Sequence, residues 1–436
     1  MKKLVALLTV GMIVLGLVPL ASAQTSTTNT GVQVVNLSST TTANITFTYY
    51  RQNGTTLFFN DTIDAGGSKV YAQASEPTLS GEATFNGSVV ISADQPVAAI
   101  VNQSTASSTG GYRFNGSYTG FSQGSTSFYV PVALRAYYNF STEISVQNAG
   151  TGPVDVDVTY STTGCTDSMD ALPAGAVVRF DNTATCSGAL ESNGSATITA
   201  TGPVVAVVNQ MNKTANKEQT YNGFAPADAG PVLYSPIALR AYYTFNSAFQ
   251  VQNVSGAAMD ITVTYSDGIS RTITGVADGA AAMFAQTAEA HALGWAGSAK
   301  VTNSTGGNMV GIVNQSNPAG KASSFNMFTS GANRWVLPSL LRAYYGYNSG
   351  YQIQNVGDTA VTVNVTYSDG QHNMTGVVIE PGQVAGPYAQ TAEADHGVSW
   401  SGSAVVESTG PIVIVVNQDA PGEFDRQYAY NAVPVQ

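Results

Sequence analysis

One stretch of text occurs three times. PVALRAYYNFSTEISVQNAGTGPVDVDVTY, from Pro131 to Tyr160, returns as SPIALRAYYTFNSAFQVQNVSGAAMDITVTY from Ser235 to Tyr265 and as LPSLLRAYYGYNSGYQIQNVGDTAVTVNVTY from Leu337 to Tyr367. A degenerate fourth copy begins near Gly31. Such copying commits the chain to an array of like modules, because each copy must form the same local structure.

Two landmarks measure the period. Asn-Gln at the end of an apolar run begins at Asn102, Asn209, Asn314 and Asn417, spaced 107, 105 and 103 residues apart, and a Gly-Ser begins at Gly87, Gly194, Gly297 and Gly402. Modules of roughly 100 residues are the size of an immunoglobulin-type sandwich. The boundaries predicted are 24–126, 127–230, 231–332 and 333–436, each in a Gly- and Ser-containing stretch or at a Pro-bearing entry such as Pro231.

Within a module the period is two. Val154, Val156, Val158 and Tyr160 alternate with Asp155, Asp157 and Thr159, and Met259 to Tyr265, Val361 to Tyr367 and Ile45 to Tyr49 do the same. Each reads as a strand with one face in a core and one in water. Ser-Asp-Gly at Ser266 and Ser368 is a hairpin signal, since Asp-Gly tolerates the positive φ of a tight turn. The run VVAVVNQ is continuously apolar and reads as a central strand enclosed by the sandwich. Seven or eight short strands per module, one of them Ala176 to Phe180, predict an all-β chain of antiparallel two-sheet sandwiches. Helix is limited to short pieces such as TAEAHALGW from Thr287 and TAEADHGVSW from Thr391.

The N-terminus reads as an export signal. Lys2 and Lys3 precede an apolar run from Leu4 to Leu20, and Ala21-Ser22-Ala23 fits the small-x-small cleavage rule, so residues 1–23 are predicted to leave a chain that starts at Gln24. The run is shorter than the about 20 residues that span a bilayer. The expected location is extracellular or at the cell surface, with no transmembrane segment in the mature chain.

Charge narrows the partners. Charged residues are 10% of the chain and the net charge is -11, without the basic stripe that phosphate binding needs, so nucleic acid is excluded as a partner. The expected partners are a second copy in a polymer or lattice, or other surface proteins and glycans. The two cysteines, Cys165 and Cys186, read as a disulfide in an exported chain; closing a loop of 21 residues is worth about 3 kcal/mol.

The LRAYY element carries the sharpest inference. Read as a strand, LRAYYNF puts Leu134, Ala136, Tyr138 and Phe140 on one face and Arg135, Tyr137 and Asn139 on the other. Four modules in a row have three joints, and the motif occurs three times. Arg135 and Tyr137, Arg240 and Tyr242, and Arg342 and Tyr344 are therefore predicted to pack between consecutive modules, by guanidinium to aromatic stacking or by bonds to loop carbonyls. Module one lacks this strand and would present an open sheet edge able to accept a strand from another chain.

Other conspicuous residues have plainer readings. The repeated Asn-Gln reads as a buried amide tying a loop to the sheet. Gln286, Glu289 and His291, with Gln390, Glu393 and His396, offer a carboxylate and an imidazole to a metal, but the second module keeps neither, so no metal or cofactor is expected. Trp295 and Trp400 read as core plugs. With three histidines in all and no recurring carboxylate pair, no enzyme is expected. Asn44, Asn86, Asn115, Asn139, Asn193, Asn253, Asn303, Asn364 and Asn373 begin N-x-S/T triplets and are candidate glycosylation acceptors.

The combination of Gln147-Asn148-Ala149-Gly150, the TYSDG of Thr264–Gly268 and Thr366–Gly370, the Gly-Ser-Ala triplets and PVVAVVNQ resembles the tandem immunoglobulin-like, CARDB-style repeats of exported bacterial and archaeal surface proteins. The resemblance covers the whole mature chain. It implies four tandem immunoglobulin-like sandwiches and a role in spacing, adhesion or assembly, with no catalytic set. The functional expectation is a structural or assembly protein of the cell exterior, a rod serving a surface layer, sheath or filament; the alternative is an adhesin or glycan-binding array.

Overall fold

The computed structural model describes residues 11–16, 26–82, 84–107, 113–181, 192–390, 396–422 and 425–435. The alternating segments become strands with the expected faces: Val154–Tyr160 alternates strictly between buried and exposed. The chain is all-β, and the helical pieces among the described residues are single 3-10 turns. The helix expected from Thr287 is one such turn, Gln286–Ala288. Its counterpart at Thr391 lies outside the described residues.

The third copy shows the plan of a repeat. Its eight strands in order are Leu233–Arg240, Asn246–Asn253, Met259–Tyr265, Ser270–Val276, Ala281–Ala285, Trp295–Asn303, Met309–Ser316 and Ala322–Asn326. The first, sixth, third and fourth form one sheet in that order; the fifth, second, seventh and eighth form the other. In the second and fourth copies the sixth and seventh strands are one long strand, Ser192–Asn212 and Trp400–Asp419, which joins the two sheets. The two sheets share a core: in the first copy Val32, Val34 and Val101 from one meet Ile45, Phe47, Tyr49 and Ile91 from the other.

The expected immunoglobulin order needs correction. An immunoglobulin sheet pairs its sixth strand with the seventh and its second with the first. Here the sixth pairs with the first and the second with the seventh, so the outer strands have traded sheets. The third-with-sixth and second-with-fifth pairings are those the immunoglobulin plan requires.

A linear rod also fails, and the seventh strand is the reason. Val204 to Val208 are buried on both faces. One face fills the core of its own repeat, and the other packs on the repeat before it. Val207 joins the core cluster of the first repeat, Val310 and Ile312 that of the second, and Ile100 of the first repeat joins the cluster of the third and fourth. The series therefore closes into a ring.

Polar contacts follow the same cycle. The eighth strands, Arg113–Thr119, Lys217–Asn222, Ala322–Asn326 and Gln427–Asn431, lie side by side about one axis, the last beside the first. Asn222 Nδ2 donates to the Thr119 carbonyl (2.7 Å), Asn326 to Asn222 (2.8 Å), Asn431 to Asn326 (2.7 Å), and Thr119 Oγ1 returns to Asn431 (3.5 Å). The Asn-Gln landmarks form a second ring. Gln103 donates to Asn209 (3.0 Å), Gln210 to Asn314 (3.2 Å), Gln315 to Asn417 (3.2 Å), and Asn102 to Gln418 (3.4 Å). These amides join neighbouring repeats; they do not tie a loop to a sheet within one.

If the ring is closed, a contact between the first and last repeats matters as much as one in the middle. Asn115 of the first repeat donates to the Asp425 carbonyl (2.6 Å) and the Tyr347 hydroxyl (3.1 Å) of the fourth. Gln210→Leu and Asn115→Leu should each lower unfolding free energy by about 1–3 kcal/mol, the cost of orphaning buried polar partners. Denaturant melts read this directly, and a silent Asn115→Leu beside a costly Gln210→Leu would indicate an open string.

Candidate functional site

The LRAYY motif leaves the strand halfway along. The first strands end at Arg135, Arg240 and Arg342. Ala136, Ala241 and Ala343 then take φ of 50°, 53° and 51°, so the alternation expected beyond the arginine does not occur. The next four residues close a two-residue turn, with the N–H of Phe140, Phe245 or Tyr347 donating to the carbonyl of Tyr137, Tyr242 or Tyr344 at 2.9 Å. Both central residues have positive φ: Tyr138 (48°) and Asn139 (64°), Tyr243 (44°) and Thr244 (69°), Tyr345 (47°) and Gly346 (84°). Turns of this shape favour Asn-Gly. A tyrosine at the first position is a bulky side chain in the left-handed region, which costs on the order of 1–3 kcal/mol.

That tyrosine is also bare. Tyr138, Tyr243 and Tyr345 are 76%, 80% and 82% exposed. Each stands edge-on against the half-buried tyrosine before it, at centroid distances of 4.6, 4.7 and 4.7 Å. Burial pushes the hydroxyls of Tyr137, Tyr242 and Tyr344 above the ordinary tyrosine range, so each stays protonated behind its exposed partner. The result is three exposed aromatic tips.

All three tips stand at one end of the axis. Asn212, at the close of the seventh strand, donates to the Tyr138 carbonyl (2.9 Å); Asn246 pairs with Ser316 at the same place in the third repeat; and Tyr347 packs on Tyr428 at 5.3 Å in the fourth. Beneath them lie two buried carboxylates. Gln103 Nε2 donates to Glu218 Oε1 at 2.7 Å, while Glu218 Oε2 has no hydrogen-bond partner among the described residues. Asp425 accepts from the backbone N–H groups of Glu218 (2.9 Å) and Ala322 (3.0 Å). Burial raises both, Glu218 to about 8 and Asp425 well above the carboxylate range, with the hydrogen bonds opposing it; the Glu143 charge adds to the rise at Glu218 and the Glu218 charge to that at Asp425.

Serines of the Gly-Ser landmark and glutamines of the second strands bridge neighbouring repeats directly. Ser88, Ser195 and Ser298, from the Gly-Ser landmark, donate to the carbonyls of Gly175, Gly279 and Gly382 in the next repeat. Gln252 and Gln354 reach back to the carbonyls of Ala196 and Ala299 at 3.3 and 3.4 Å. Arg240 bonds Asn246 of its own repeat (3.3 Å). Tyr137 reaches the third repeat through Asn193, which accepts from Gln250 at 2.8 Å. Each first strand lies against the second strand of the following repeat, the fourth repeat's against the first repeat's. A ring has as many joints as modules, so the count of three joints that singled out the motif does not hold.

The remaining candidates resolve individually. His291 Nδ1 lies 2.7 Å from Asp267 Oδ2 and its ring stacks on Trp295 at 3.9 Å; His396 repeats this with Asp369 (2.8 Å) and Trp400 (3.8 Å). Gln286 donates to the Tyr265 hydroxyl (2.8 Å). These groups knit a hairpin to the loop opposite, and a Cβ at Gly297 or Gly402 would strike the tryptophan, which accounts for that landmark glycine. Glu393 lies outside the described residues. Among the described residues no group of three His, Cys, Asp or Glu could hold a metal. Cys165 is disulfide-bonded, and Cys186 lies outside the described residues. Two glycosylation candidates are excluded in the folded chain. Asn115 is buried and donates to the Asp425 carbonyl (2.6 Å), and Asn253 is buried and donates to the carbonyls of Ala257 (2.6 Å) and Val276 (2.8 Å). Asn44, Asn139, Asn364 and Asn373 are exposed, and Asn86, Asn193 and Asn303 half-buried.

No family model matches the chain, and no curated protein matches it in sequence. Among solved structures, Thermotoga maritima 1070 aligns with 24% of this chain and 96% of its own at 17% identity and a TM-score of 0.20. A tetra-tandem repeat in the extending region of a large adhesion protein aligns over 92% and 94% at 14% identity, TM-score 0.11. The BSP domain of a biofilm-associated protein aligns over 95% and 91% at 8% identity, TM-score 0.14. Likeness at this level carries no argument, and the functional reading rests on the geometry above.

Two outcomes follow from the tips and the axis. Tyr243→Asn should leave stability unchanged or raise it by up to about 1 kcal/mol, because asparagine suits the left-handed position; a loss beyond that would mean the ring braces the fold. A carboxyl whose folded pKa is raised binds its proton more tightly folded than unfolded, so its contribution is full below about 4.5 and is lost as pH rises to about 8. Glu218→Gln should therefore remove a decline of a few kcal/mol between pH 5 and 8, and an unchanged pH profile in denaturant melts would refute the assignment.

Proposed function

We propose that this chain is an exported, non-catalytic binding module of the cell exterior, a ring that holds three tyrosine tips on one face to engage glycan chains. The observation that carries the reading is the threefold recurrence of an exposed tyrosine in a backbone conformation that disfavours it. Strain kept at an exposed, repeated position is a mark of use. Tyrosine gives a large amphipathic contact at low entropic cost, which suits a surface offering both apolar faces and hydroxyls. Three tips on one scaffold also raise avidity without further contacts, because the second and third engagements are intramolecular.

The assembly role, as a surface-layer, sheath or filament component, needs contacts between rings in place of an end-to-end rod. It would use the same face, with tips of one copy meeting another. Purified protein on a glycan array separates the two. Binding that falls about tenfold for one Tyr→Asn tip variant and vanishes for the triple variant Tyr138→Asn, Tyr243→Asn, Tyr345→Asn supports the module. Absence of any glycan signal, with sheets or fibres in the electron microscope that the triple variant cannot form, replaces it with the assembly role.

A further inference from the structure

The first repeat has a first strand after all, and it comes from the apolar N-terminal segment. Gly11–Gly16 pairs antiparallel with the sixth strand of that repeat, Gly87–Ala93. The register is the one used elsewhere. Leu15 sits opposite Val89 as Val130 sits opposite Ala196, Ser235 opposite Ala299 and Leu337 opposite Ala404. The segment also lies against Ser141–Asn148 of the second repeat, as each other first strand lies against the second strand of the repeat that follows.

One bond found at other seats is missing here among the described residues. Gln147, 1% exposed, occupies the position from which Gln252 and Gln354 bond the sixth strand of the preceding repeat, yet neither of its amide atoms has a partner among the described residues. Loss of Gly11–Gly16 would leave one edge of Gly87–Ala93 with a row of unpaired backbone groups. Such an edge is a template for an incoming strand.

We propose that the Gly87–Ala93 edge is a strand-acceptor site whose occupant is the chain's own residues 11–16. The segment that reads as an export signal is then also the first strand of the first repeat, and cleavage after Ala23 opens the site. This stands apart from the tyrosine tips and does not depend on them.

Backbone amide exchange tests it. In the full chain, the alternate amides of 87–93 that point away from Ala43–Arg51 should exchange as slowly as their counterparts in 297–303. In a chain of residues 24–436 they should exchange at least a hundredfold faster, while the amides facing Ala43–Arg51 and those of 297–303 stay slow. Adding a peptide of residues 9–18, made soluble by a lysine tag, should restore protection. Slow exchange in monomeric 24–436 without peptide would overturn the proposal, as would failure of the peptide to restore protection or to refold a first repeat that the deletion has unfolded. Protection that appears only in a dimer of 24–436 would also overturn it, by making a second copy the occupant.

Discussion

A strand that is apolar on both sides cannot rest on the surface of a sandwich. The seventh strand of each repeat has this property, and burying its outer face requires another repeat. At about 25 cal/mol per Å² of apolar surface removed from water, a row of valines and isoleucines supplies a strong drive for that contact. Because every copy carries the same two-faced strand, a linear array would leave one such face bare at its end. Closure on the first repeat removes the bare face, with Ile100 filling the place that Val207 and Ile312 fill elsewhere.

The amides on the axis do a different job. A purely apolar hub would let repeats slide, whereas buried amides are satisfied only in one register. The Asn-Gln pairs and the Asn222, Asn326 and Asn431 ladder thus fix how neighbours meet, and the valines provide the attraction. The exposed side chains of Tyr138, Tyr243 and Tyr345 add nothing to either task. They sit outside both networks in a costly backbone conformation, which is why they and not the hub are read as the working surface.

The sequence disclosed the strands well, since the alternation of Val154 to Tyr160 and its copies follows directly from one buried and one wetted face. The copying and its period were equally plain. What the text concealed was anything set by contacts between repeats. VVAVVNQ reads as a strand covered on both sides, but nothing in it says that the second cover is another repeat. The Asn-Gln landmark reads as a buried amide without naming its partner. LRAYYNF alternates in hydropathy, so it passes for a continuous strand, and only the backbone reveals that Ala136, Tyr138 and Asn139 are left-handed. Asn139 and Gly346 were the available hint, since both residue types tolerate positive φ, but the β-branched Thr244 at the same place hides it. The leader-like N-terminus concealed a strand because both uses require a short apolar run.

Small-angle X-ray scattering from the purified chain weighs closure most directly. A closed ring of this length should give a radius of gyration near the compact-domain value, about 22 Å. Four modules in a line should give a value on the order of 40 Å. A result near 22 Å with a single-peaked distance distribution is what the ring requires; a value near 40 Å with a long tail would contradict it.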